Sequence, residues 1–195
     1  MKKKVFIIVI ILLSALCIFR IYKVNSGLKK EIVQVYPKGE AVQVGKNFFK
    51  SSIEDMDGYE VTVIDSEIIP TNKFLESHGE DPSVIDSDFD YIYSIRILVK
   101  NKYNQFMGEK GIDFREYVLQ GTDYMLTMDS IAYKLANIKM DGQTKMSLNI
   151  DDVGMEFTLT YDISTELYTS LEKIEQDPPK LVICQYPEKK MLMTK

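Results

Sequence analysis

The chain has 195 residues, 45% apolar and 27% charged, with a formal net charge of −5. That length suits one ordinary domain plus an accessory segment, and the apolar content excludes a disordered chain. Residues 1–27 hold five of the 24 basic residues and no acid, so the remainder carries 19 basic against 29 acidic residues, a net of −10. Such a domain repels phosphate backbones, which argues against nucleic acid as a partner.

Lys2–Lys4 form a basic tail (1–4), followed from Val5 to Phe19 by an apolar run in which Ser14 is the only polar residue. Spanning a bilayer takes roughly 20 helical residues. The run reaches that length over 5–24 if Arg20 and Lys23 snorkel and Tyr22 sits at the interface. Three readings fit: a retained signal anchor, a signal peptide cleaved near Gly27, or a lipoprotein signal acylated at Cys17. The last is poor, because Leu16 stands where a small residue is expected. The reading carried forward is a single-pass anchor with the C-terminal domain outside the cell, or that domain secreted after cleavage. Cys17 and Cys184 are the only cysteines, and they do not decide the redox compartment.

Residues 25–40, polar and containing Gly27, Pro37 and Gly39, read as a stalk, leaving 41–195 as the folded domain. Period-two alternation then dominates, as in strands with one buried face. Val61 and Val63 open one such strand. Tyr91, Tyr93, Ile95, Ile97 and Val99 share a face opposite Ser94 and Arg96, and Phe157, Leu159 and Tyr161 oppose Glu156, Thr158 and Thr160. Further strands are predicted at 114–120, 131–139, 144–150 and 181–186, with less regular alternation at 41–49 and 191–194. Asp141-Gly142 predicts a hairpin joining 131–140 to 144–150. Two short helices interrupt: one from Asn72 to His78, closed by Gly79, and one capped by Ser164, carrying Leu167, Leu171 and Ile174 and stopped by Pro178-Pro179. The fold class is mainly β, an antiparallel β-sandwich with one or two short helices after an N-terminal transmembrane helix.

Several segments carry a resemblance. Tyr36-Pro37 with Gly39-Glu40, the Met56-Asp57-Gly58-Tyr59 turn with its strand, Ile112-Asp113-Phe114 with Tyr117 to Gly121, and the closing Tyr186-Pro187 together resemble a family of uncharacterised, membrane-anchored proteins of Gram-positive bacteria. The likeness covers about 36–195. It implies an extracellular immunoglobulin-like sandwich and brings no known activity, so no catalytic residue is carried over.

Chemistry-bearing signals are few. His78 is the only histidine, in an acidic surface context, and no nucleophile elbow accompanies it. Asp86, Asp88 and Asp90 alternate in an acidic stretch and are the best candidates for a calcium site. They lack the Gly and Glu of an EF-hand, Tyr91 and Ile97 standing at those positions, and a solvated acidic loop is the plainer reading. No catalytic residue and no cofactor are assigned. The function expected is a non-enzymatic binding or protein-interaction module at the cell surface, with the membrane and an envelope protein as partners. The alternative is a cell-envelope hydrolase using the carboxylates of 76–90.

Overall fold

The computed structural model describes residues 2–27, 32–81, 90–105, 111–151, 153–164 and 170–195. It divides into two compact units, Met1–Glu31 and Ile32–Lys195.

The first unit is the helix α1, Lys2–Gly27. Its side chains are described over 12–23 and at 26. Leu12, Leu13, Leu16, Ile18, Phe19, Ile21 and Tyr22 are all exposed, and at 100° per residue they surround the helix rather than forming a stripe. Among the described residues no helix is long and apolar enough to cross a membrane. The predicted span of 5–24 runs beyond those described side chains at both ends.

The second unit is mainly β. Eleven strands are described: β1 (Ile32–Tyr36), β2 (Val42–Gln43), β3 (Tyr59–Pro70), β4 (Tyr91–Asn101), β5 (Ile112–Asp113), β6 (Val118–Gln120), β7 (Met125–Leu126), β8 (Lys145–Met146), β9 (Met155–Ile163), β10 (Lys180–Cys184) and β11 (Glu188–Met193). They build a five-stranded sheet in the order β1-β11-β10-β6-β7, a four-stranded sheet β2-β3-β4-β9, and the pair β5-β8. All pairings are antiparallel except β1 with β11. Three short helices accompany them: α2 (Thr71–Ser77), α3 (Ser130–Ala136) and α4 (Leu171–Gln176).

The two larger sheets share one apolar core. Val61 and Val63, Tyr93 to Val99 in alternation, and Phe157, Leu159 and Tyr161 meet Leu119, Leu181, Ile183 and Leu192 in it. Removing each such side chain from water stabilises the fold by roughly 1.5–3 kcal/mol. Core tyrosines keep their hydroxyls paired where they can. Tyr93 Oη lies 2.9 Å from Thr194 Oγ1, Tyr161 Oη donates to the Tyr117 carbonyl at 3.1 Å, and Tyr59 Oη accepts from Leu148 N. Gly58 has φ +95°, and a Cβ there would meet Asn104 N at 2.7 Å, so the turn into β3 requires glycine.

Several expectations are corrected. The segment read as a stalk supplies β1, whose five residues pair with Glu188–Leu192. Residues 131–139 form α3 and a 3-10 turn rather than a strand. The Asp129 carboxylate accepts from Ala132 N, and Ala132, Tyr133, Leu135 and Ala136 fall at helical spacing, which outweighs the imperfect alternation. Asp141 and Gly142 do turn with positive φ, but they lead from that 3-10 turn into β8, which pairs with β5. Of 144–150 only Lys145–Met146 is strand, and 114–120 opens with a 3-10 turn before β6. The helix expected from Ser164 is described only as Leu171–Gln176, capped by Ser170 Oγ accepting from Lys173 N; Leu167 lies outside the described residues.

Candidate functional site

Cross-strand register fixes what the face of β3-β4-β9 opposite the core displays. Successive rows read Asp65–Arg96–Thr158, Glu67–Ser94–Thr160 and Ile69–Ile92–Asp162. The first two rows are polar. The third is partly apolar and receives the short helices: Phe74 and Leu75 of α2 and Ala132 of α3 pack with Ile92, flanked by Ile69, Leu135 and Ala136. A groove of about 400 Å³ remains, floored by Ser94, Arg96 and Thr158 and walled by Phe74, His78 and Ala136.

The groove presents both charges and several hydroxyls. Arg96 lies 3.8 Å from Glu156, both half exposed, a contact that contributes little to stability and leaves the guanidinium able to bind. The hydrogen bond from Lys38, with a Ser66 backbone bond and the Lys38 charge behind it, holds the Asp65 carboxyl below the usual carboxylate range. Ser94 is only 8% exposed and lines the groove. His78 Nδ1 lies 2.8 Å from the Phe74 carbonyl, which only accepts, so Nδ1 carries a proton in this contact. Ser77 Oγ donates to the same carbonyl at 2.7 Å, so its proton is committed to the backbone rather than to the imidazole.

At the far end of this face Asp162 meets Asp129. Burial, then the charge and the hydrogen bond of Asp129, push the Asp162 carboxyl up to about 8. Asn137 closes the edge of β9: its Nδ2 donates to the Thr158 carbonyl at 2.7 Å and its Oδ1 accepts from Thr158 N at 3.0 Å.

A second groove, of about 460 Å³, lies beside the 49–56 loop. There Glu54 accepts from the backbone N–H groups of Phe49, Lys50 and Ser51 and so is committed to shaping the loop.

Of the three carboxylates expected to hold a cation, Asp86 and Asp88 lie outside the described residues. Asp90 is described and exposed; its N–H donates to the Ile163 carbonyl and its own carbonyl accepts from Thr71 N, both at 3.1 Å, extending the sheet ladder. Among the described residues no three His, Cys, Asp or Glu side chains converge on one point. The sequence reading placed Ser94 and Arg96 on the polar face of β4 but gave them no role. It missed the Asp129–Asp162 contact, whose members lie 33 positions apart without a motif to join them.

A family model described as Domain of unknown function (DUF5028) matches residues 33–190. No curated protein and no solved structure matches the chain.

Proposed function

The chain belongs to the DUF5028 family, and we propose that it is a membrane-anchored, non-enzymatic binding module displayed at the surface of a Gram-positive cell. The groove on the outer face of β3-β4-β9 carries the binding part of this reading. Its floor sets Arg96 and the Ser94 hydroxyl on paired strands, with helix side chains as walls. A few convergent polar groups in a partly apolar recess are what a specific ligand or protein loop requires.

The anchor is supported by the apolar run Val5–Phe19 within the 26 residues of α1 and by exposed apolar side chains around its described turns. A helix apolar on every side is at home in lipid or deep in a core. The basic Lys2–Lys4 tail supports an inside N-terminus and an outside domain. The immunoglobulin-like reading draws on the strand orders. β11, β10, β6 and β7 follow one another as G, F, C and C′ do in variable-type sheets, while β4 lies beside β9 as B lies beside E.

Protease applied to intact cells tests the placement: residues 32–195 are expected to be digested while the cytoplasm stays intact. Full protection of the domain would overturn it. For the groove, Arg96→Ala and Ser94→Leu are expected to abolish recovery of any partner that the wild-type chain captures, with unchanged folding. Equal capture by both variants would remove the groove from the proposal.

A further inference from the structure

Strand direction gathers one set of loops at one end of the domain. β3 and β9 start there and β4 ends there, since Tyr59 pairs with Asn101 and Val99 with Met155. β2 runs toward the same end, and the segment after it meets the β10–β11 turn through the Phe48–Tyr186 bridge. β1 starts at this end as well, with Ile32 opposite Glu188, the first residue of β11. The loops here hold apolar side chains out in water: Ile53 is 79% exposed and Val153 78%, and Tyr103, Ile150 and Tyr186 are half exposed. Both leading tips are braced from within their loops. Glu54 accepts from the N–H groups of Phe49, Lys50 and Ser51, and Ser51 Oγ accepts from Ile53 N. Asp151 Oδ1 accepts from Val153 N and Gly154 N. The carboxylates are thus turned onto the loop backbone, and the aliphatic side chains make the tips. At the opposite end, the strand termini expose Met125 and Met193.

Apolar side chains scattered singly over a surface are ordinary, whereas several gathered on the loops of one end mark a contact with something apolar. Aliphatic tips with tyrosines among them have the composition of groups seated at a membrane interface. There the aliphatic side chains enter the acyl boundary and the tyrosine rings lie at headgroup level. Chain length selects this occupant over others. Ile32 follows Gly27, the last residue of α1, by five positions, so covalent reach alone keeps the start of β1 within about 18 Å of the end of α1. We infer that the loop tips at the β1 end of the domain, Ile53 and Val153 foremost, insert into the surface of the lipid bilayer that holds α1. The inference rests on the anchored reading of α1 and adds to it a lipid contact made by the β domain itself. The groove over Ser94 and Arg96 has no part in it.

The chain contains no tryptophan, so a single introduced one reports alone. The full chain is reconstituted into phosphatidylcholine vesicles whose acyl chains carry bromine, a contact quencher of indole emission, with unbrominated vesicles as the reference. Ile53→Trp and Val153→Trp are expected to lose emission in the brominated vesicles, and Met125→Trp, at the opposite end, is expected to keep it. An alkaline wash tests the anchor separately, and the chain is expected to stay with the vesicles. Chains that stay while both tip variants go unquenched would overturn the lipid contact and leave the anchor standing. Chains that wash off would overturn the anchored reading and this inference with it. Equal quenching in all three variants would also overturn the inference, because neither end of the domain would be preferred. A tip emission that shifts with the number of chains per vesicle, without quenching, would assign the tips to a second copy instead.

Discussion

Along β4, Tyr93, Ile95, Ile97 and Val99 point one way and Ile92, Ser94 and Arg96 the other. The first set is 0% exposed and joins the shared core, whereas the second ranges from the buried Ile92 to the open Arg96. The same strand therefore supplies a face fixed by packing and a face only partly covered by two short helices. On the inner face the chemistry is uniform, and any residue of the right size and polarity suffices. On the outer face each polar group has its own environment: one nearly buried serine, one arginine loosely paired, one carboxyl raised by its acidic neighbour. Specific binding needs that kind of individuality.

The contrast can be broken most forcefully from the inside. Phe157 is 1% exposed and meets Phe114 edge to face, with ring centroids 4.8 Å apart. Phe157→Ala is expected to cost about 3–5 kcal/mol, read as a lowered denaturation midpoint with an unchanged slope. A cost near that of a surface substitution would mean the inner face is not the core.

Acidity probes the covered end of the outer face. The Asp162 carboxyl is raised far above its unfolded value by burial and Asp129, so the folded chain binds the extra proton between the ordinary carboxylate range and about pH 8. Stability from this group is fully present below about pH 4 and is lost as pH rises toward 8. The wild type should therefore show a downward slope in stability across that window, and Asp162→Asn should flatten it. A wild-type slope of the opposite sign, with the variant unchanged, would refute the pairing.

Asn137→Ala probes the helix-to-strand seam. It leaves Thr158 N–H and C=O without the partners that now cover the β9 edge, and a loss of about 1–3 kcal/mol is expected in the same unfolding assay. Arg96→Ala sharpens the comparison from the other side. It should change stability by no more than about 0.5 kcal/mol, because the guanidinium's contact with Glu156 is long and exposed.

These faces were not equally legible in the sequence. Because hydrophobic periodicity is a local signal, alternation at 91–99 and 157–161 predicted the inner face, although Met155, in the same register, is exposed at the strand end. The same signal misplaced 131–139, where Tyr133 and Leu135 mimic a strand while the Asp129 cap and the Ala132–Ala136 spacing make a helix. It also missed β1, because its partner β11 lies about 150 residues away and the pairing is parallel. The groove joins Asp65, His78, Arg96 and Thr158 from four elements, and the acid pair joins α3 to β9. Neither assembly leaves a motif, since register and helix docking create them. The 76–90 acidic segment had the local signal, yet Asp90, its described candidate, extends the ladder through its backbone.

The division of labour between the two faces is tested most directly by site-directed photocrosslinking in the cells that make the protein. The probe is placed at Arg96 in the groove or at Val33, an exposed residue of β1 on the other sheet. A discrete adduct from the Arg96 position and none from Val33 is the predicted result. An adduct from Val33 with none from Arg96 would place the binding surface elsewhere and contradict the account.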